Sequence, residues 1–184
     1  MNAPARPGTS DCEQLGDGFL AQPVNALSSL AYVAVGVELM ARAWQQRSRR
    51  WSSVGLAAFG ALVAAEGVGS VGFHGPGDSV SHRIHDAGIG GTLAFVAATE
   101  VLALVRRPRR RRARRRFVIA AALLAAATAI NLVTRTGDPL CRPDSLLQGH
   151  AAWHVLTALA LREWALAAFT DVPSEGQAVA SQSS

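Results

Sequence analysis

The sequence predicts an all-α fold, a polytopic transmembrane helical bundle of about five spans. Three observations carry that expectation. The 184 residues are 49% hydrophobic and 17% charged, and the apolar ones are bunched rather than dispersed. They fall into segments at roughly 25–44, 53–73, 86–105, 117–133 and 149–169, each close to the about 20 residues that cross a hydrocarbon core. Within these segments alanine and leucine are dense and strand-like alternation is missing, which argues for helices. Finally, most of the charges lie between segments: all 18 basic residues are arginine, and nine of them occupy Arg106–Arg116.

Taken in order, residues 1–21 form an N-terminal segment expected to be exported. Met1–Thr9 is small and polar and lacks the apolar stretch of a signal peptide. Ser10–Ala21 carries the acidic residues Asp11, Glu13 and Asp17. The first span opens at Gln22-Pro23-Val24-Asn25, where the missing proline N–H costs nothing. The loop with Arg47, Arg49 and Arg50 and the loop with the arginine cluster are both expected to be cytoplasmic. The N-terminus is then outside and, after five crossings, the C-terminus inside. Gly75, Pro76 and Gly77 mark an external turn, and Gly137, Pro139 and Pro143 a longer external loop. Residues 22–170 thus make one transmembrane domain, and polar 171–184 is expected to be a disordered cytoplasmic tail.

A net charge of +5 invites a nucleic-acid reading. The arginine run is pinned between two spans, however, and cannot wrap a duplex as a free arm would. No nucleic-acid partner is expected. Anionic lipid headgroups beside Arg106–Arg116 are. Cys12 and Cys141 both fall on the outer side, where an oxidising compartment permits a disulfide; two unpaired thiols are the alternative.

The histidines carry the chemistry. His74 ends the second span, while His150 and His154 occupy the first turns of the fifth, so they share one end of the bundle. Residues four apart lie on one helical face, and a third imidazole from another helix completes a three-nitrogen zinc site with one position open. His82 and His85 compete as ligands but look more exposed, suited to headgroup or solvent contact. The H-E-x-x-H arrangement places its base between the ligands; here Ala151 and Ala152 stand there. Asp86, opening the third span at matching depth, is the expected general base. Ser70 lies one turn before His74 and is suited to donate a hydrogen bond to a developing oxyanion. Glu66 extends that face another turn inward, with Arg162, Glu100 and Glu163 as candidate partners.

Three blocks bear a family resemblance. They are Asp11-Cys12-Glu13 followed by Gln22-Pro23-Val24-Asn25-Ala26-Leu27-Ser28-Ser29-Leu30; Gly69-Ser70 through Phe73-His74 with Asp86 beyond; and His150-Ala151-Ala152-Trp153-His154. In their order and placement these resemble the alkaline ceramidase family, within the CREST group of membrane hydrolases that also holds the adiponectin and progestin receptors. The resemblance covers about Cys12 to Trp164. It implies zinc on His74, His150 and His154, a motif serine at Ser70, a catalytic aspartate at Asp86, and a bridge from Cys12 to Cys141. It also implies a substrate class, ceramides cleaved at the amide into a sphingoid base and a fatty acid.

The chain departs from that family in three ways. The family has seven spans where five are counted here. Asp86 stands one residue further from His74 than in the animal enzymes. The family's calcium motif is matched at Glu13 and at Asp11, but Leu15 and Gln22 replace expected ligands, so calcium is expected to bind weakly or not at all.

The expected function is therefore a zinc-dependent intramembrane hydrolase of lipid amides. It would lie in a bacterial-type cytoplasmic (inner) membrane, with the metal near the outer face and a second copy as a candidate partner. The alternatives are a receptor-like or lipid-binding protein with structural zinc, and a transporter relaying protons through Glu66 and Glu100.

Overall fold

The computed structural model describes residues 11–47, 50–104 and 111–170. Among them there is no strand, and six helices follow one another: α1 Pro23–Ser28, α2 Leu30–Gln45, α3 Arg50–His74, α4 Ser79–Leu104, α5 Arg111–Val133 and α6 Gly149–Phe169. α1 and α2 join into one apolar segment, Pro23–Gln45, interrupted only around Ser29. That segment, Ser52–His74, Ser79–Ala103 and Arg111–Val133 are each long and apolar enough to span a membrane. α6 has 21 residues, about 31 Å of helix, but two histidines and the Arg162–Glu163 pair lower its hydropathy. Its polarity is turned inward, and it buries ten residues, including His154, Thr157 and Trp164.

α3 and α6 form the centre. α2 and α4 pack on α3, α5 packs on α6, and α6 closes against α2 and α3. Tyr32, Leu39, Leu56, Phe59, Val63 and Trp164 are buried between them. α4 and α5 bury only 11% of their apolar windows against 44% for α3, so most of their surface faces outward. Val68, Leu93, Val101, Val118 and Leu132 are among the large apolar side chains left exposed. In water this would forfeit about 1.5–3 kcal/mol per side chain. In hydrocarbon it costs nothing, and the bundle is that of an integral membrane protein.

Two boundaries differ from the hydropathy reading. α4 begins at Ser79 rather than at 86, because Asp78 caps it: its carboxylate accepts hydrogen bonds from the Val80 and Ser81 amides, each at 2.9 Å. The bonds from Ser81 hold that carboxyl below its ordinary pKa. His82, His85 and Asp86 consequently sit on the helix, where only their rotation about its axis decides what they face. α5 is already helical at Arg111, six residues before 117, since arginine is a good helix former whatever its hydropathy. The expected loop residues Arg106–Arg110 and the tail 171–184 lie outside the described residues, as do Met1–Ser10.

An ionic cluster ties three helices together on the side of the core away from the histidines. Arg162 Nε and Nη2 donate to the two Glu38 carboxylate oxygens, each at 2.7 Å. Arg42 Nε joins Glu38 at 2.8 Å. Glu163 accepts from Arg162 at 2.5 Å and from Arg116 at 2.6 Å. Trp164 Nε1 donates to Glu100 at 2.8 Å, linking α6 to α4. Arg162, Glu163 and Glu100 thus have other partners than Glu66, the residue for which the sequence offered them.

At the histidine end, residues 11–22 lie as a strap across the bundle. Cys12 is bonded to Cys141 with Cα atoms 5.6 Å apart, Gln14 N donates to Pro143 O, and Gln22 N donates to His74 O at 2.8 Å. The strap therefore connects the loop before α6 to the end of α3.

Candidate metal centre

His74 is the last residue of α3, and His150 and His154 lie in the first two turns of α6. Two glycines bring the neighbouring helices into close contact beside the histidines. A Cβ on Gly149 would overlap the Thr134 side chain, so the start of α6 lies directly on the end of α5. A Cβ on Gly69 would lie 2.5 Å from His85 N, so α3 and α4 touch backbone to backbone one turn from the site.

The ligand atoms of His74, His150 and His154 lie within 4.8 Å of one another. Their ring centroids are 5.0, 5.2 and 4.5 Å apart for the pairs 74–150, 74–154 and 150–154. His74 and His154 are 1% and 2% exposed. Among the described residues this is the one group of three ligand-type side chains within reach of a single ion.

Each imidazole is held through Nδ1 by an oxygen from a different segment. His74 Nδ1 meets Gln22 Oε1 at 2.7 Å. His154 Nδ1 meets Ser28 Oγ at 2.9 Å; that hydroxyl already donates to Asn25 O, so the ring N–H is the donor. His150 Nδ1 meets Asn131 Oδ1 at 3.2 Å, with Asp11 Oδ1 at 3.7 Å. Anchoring at Nδ1 leaves Nε2 as the metal-facing nitrogen, the tautomer that carboxylate and carbonyl partners impose around zinc. His74 Nε2 is buried without a hydrogen-bond partner. A buried ring nitrogen left unpaired is costly, and a cation shared with the other two histidines would remove the penalty. The residues fit zinc in donor type, number and outer support.

Gln22→Ala should weaken zinc binding by about 10–100-fold, measured by competition with a fluorescent chelator. Its amide also donates to Glu13 O, so Gln22→Glu provides the control that keeps the acceptor for His74.

Asp11, Tyr32, Glu66, Ser70, His85 and Trp153 join the histidines in lining a cavity of about 220 Å³. Ser70 is almost fully buried in its wall, with Oγ 2.8 Å from Ser29 Oγ. Asp86 is not brought to the cavity: its side chain is 75% exposed and, among the described residues, meets only the neighbouring His85, at 3.3 Å. Successive helical residues point about 100° apart. His85, packed at the Gly69 contact and stacked on Phe73 at 4.7 Å, takes the inward direction. The solvent-facing place assigned to His85 from sequence is thus held by Asp86. His82 is packed against the Phe73 ring at 4.3 Å, away from the cavity lining.

The acidic strap residues do not converge. Both Glu13 carboxylate oxygens accept backbone amides at the start of α1, Val24 N at 2.7 Å and Asn25 N at 2.8 Å, while Asp11 faces His150. Glu13 serves as a helix cap. The supporting roles of Gln22, Ser28 and Asn131 are not visible in spacing. Gln22 and Ser28 stand in the quoted blocks, but Asn131 leaves no signal in the sequence.

Comparison with models of protein families, with curated proteins and with solved structures finds no match to this chain.

Proposed function

We propose that this protein is a zinc-dependent intramembrane hydrolase of lipid amides, ceramidase-like in converting an N-acylsphingosine to a sphingoid base and a fatty acid. The observation that carries the reading is the meeting of His74, His150 and His154, one with an orphaned Nε2, in the wall of a cavity. Zinc there would supply a Lewis acid and a water activated near neutral pH. Ser70 stands one turn from His74 and is placed to donate to an acyl carbonyl oxygen. At rest Ser29 Oγ donates to Asn25 O at 2.8 Å, which leaves Ser70 as the donor to Ser29. Turning the Ser29 hydrogen toward Ser70 frees the Ser70 hydrogen for the cavity. Asp11, 3.7 Å from His150, and His85 are proton-accepting side chains in the cavity lining, and they take the role for which Asp86 was considered. Ile89 and Trp153, from α4 and α6, supply an apolar wall for the lipid chain.

By the positive-inside rule the Arg111 end of α5 is cytoplasmic. The metal centre then lies near the outer face of a bacterial-type inner membrane, with the arginines at anionic headgroups.

Fatty-acid release from a short-chain ceramide analogue tests the reading. Zinc-loaded protein should release it and chelated protein should not; no release by zinc-loaded protein ends the proposal. In the same assay Asp86→Asn should lower kcat/KM by much less than the about 10²–10⁴ expected of a general acid-base group.

One observation favours a second reading, a lipid-binding protein with structural zinc: His85 lies in the same cavity as the three histidines. X-ray absorption separates the two. Four nitrogens around zinc indicate the closed site, and three with one oxygen the hydrolase.

A further inference from the structure

Glu66 is out of place on a purely apolar lipid path. It is 7% exposed, lies in the middle of a membrane-spanning helix, and lines the cavity together with Ser70 and Tyr32. Among the described residues a single hydrogen bond reaches its carboxylate, from Thr92 Oγ1 to Oε2 at 3.2 Å. The arginines are engaged elsewhere: Arg162 by Glu38 and Glu163, and Arg116 by Glu163. A carboxyl that served only packing would need partners for both oxygens at this depth. Gly88 of α4 presses on the Glu66 backbone, where a Cβ would lie 2.8 Å from Glu66 Cα, which holds the residue in register beside the cavity.

Glu66, Ser70 and His74 recur every fourth residue on one face of α3. Each step advances about 6 Å along the axis. A carbonyl held at Ser70 therefore places Glu66 a few single bonds further along the substrate, each about 1.5 Å. Tyr32 shares that floor, but its hydroxyl is engaged by Thr157 Oγ1 at 2.5 Å. The acceptor with spare capacity is Glu66.

We propose that Glu66 reads a hydroxyl group carried on the lipid near the scissile carbonyl, so that the favoured substrate is a hydroxyacyl amide rather than a plain acyl amide. This rests on the lipid-amide hydrolase reading and specifies its substrate. A hydroxyl donating to the Glu66 carboxylate replaces the water that the oxygen would otherwise keep. A plain methylene chain strips that water and gives nothing in return.

The test uses two N-acyl amides identical except for a hydroxyl at acyl C2 or C3, with two readouts. These are hydrolysis by the zinc-loaded full chain, and the rise in its unfolding temperature in detergent with non-hydrolysable versions of the same pair. Wild type should favour the hydroxylated lipid by about 10–100-fold in kcat/KM, the range expected when a buried acceptor is otherwise left without a partner, and be raised further in unfolding temperature by it. Glu66→Leu should bring the ratio near one and equalise the shifts. Glu66→Gln, which keeps the shape and one acceptor, should retain part of both. Equal treatment of the pair by wild type, or a preference surviving in Glu66→Leu, overturns the inference and leaves the hydrolase reading standing. A hydroxyl-dependent shift without hydrolysis of either lipid supports Glu66 as the reader and removes the hydrolase reading instead.

Discussion

A chain carrying His150→Ala and His154→Ala together is expected to purify without zinc and to release no fatty acid above the level of chelated wild type. Wild type should hold close to one zinc per chain by elemental analysis. A lone His74 should not retain an ion, since the proposed affinity rests on three nitrogens held at fixed separation by separate oxygen partners. The loss should also appear as stability. A ligand present at about 1,000 times its Kd adds about 4 kcal/mol to the state that binds it, so added zinc should raise the unfolding temperature of wild type and leave the double variant unmoved. His82→Ala is the control, because that ring packs on Phe73 outside the cavity lining and zinc should stay. Full zinc occupancy in the double variant would remove the metal centre proposed here, and with it the hydrolase.

Breaking the bridge with Cys12→Ser and Cys141→Ser should have the next largest effect. The bridge spans 129 residues of sequence, and disulfides of long loops contribute about 2–5 kcal/mol. The lower half of that range applies, because helices that stay inserted in the membrane already shorten the effective loop. A second consequence is local. The strap that the bridge anchors carries Asp11 to His150 and Gln22 to His74. Removing the bridge should therefore weaken zinc binding as well as lower the unfolding temperature, both measured with and without reductant on wild type. An unchanged zinc affinity would show that Gln22 N–His74 O and the Glu13 cap hold the strap by themselves.

How much of this was legible depends on the kind of information each feature requires. Membrane spans are a one-dimensional property: length and apolarity of a segment decide them, so Ser52–His74 and Arg111–Val133 could be located within a few residues. Their ends were less legible, because Asp78 and the arginines of α5 extend helices with residues that hydropathy scores as loop. The pair His150 and His154 could be read as one face because four residues complete about one turn. Depth along a helix is likewise countable, which made His74 and Ser70 candidates.

Rotation and partnership are different. Whether His85 or Asp86 enters the cavity turns on about 100° of helix rotation, set by the contact of Gly69 with the His85 backbone. Nothing in the local sequence specifies that contact. Glu66 had three candidate partners by composition, and packing of α3 on α4 supplied Thr92 instead. Gln22, Ser28 and Asn131 became histidine supports only when α1, α5 and α6 were brought to one end of the bundle. By itself, then, the order of residues determined an all-helical membrane protein with its histidines at a common depth, since hydropathy and helical period act along the chain. Which side chains share the cavity was decided by the tertiary structure alone, since that depends on close approaches between helices distant in sequence.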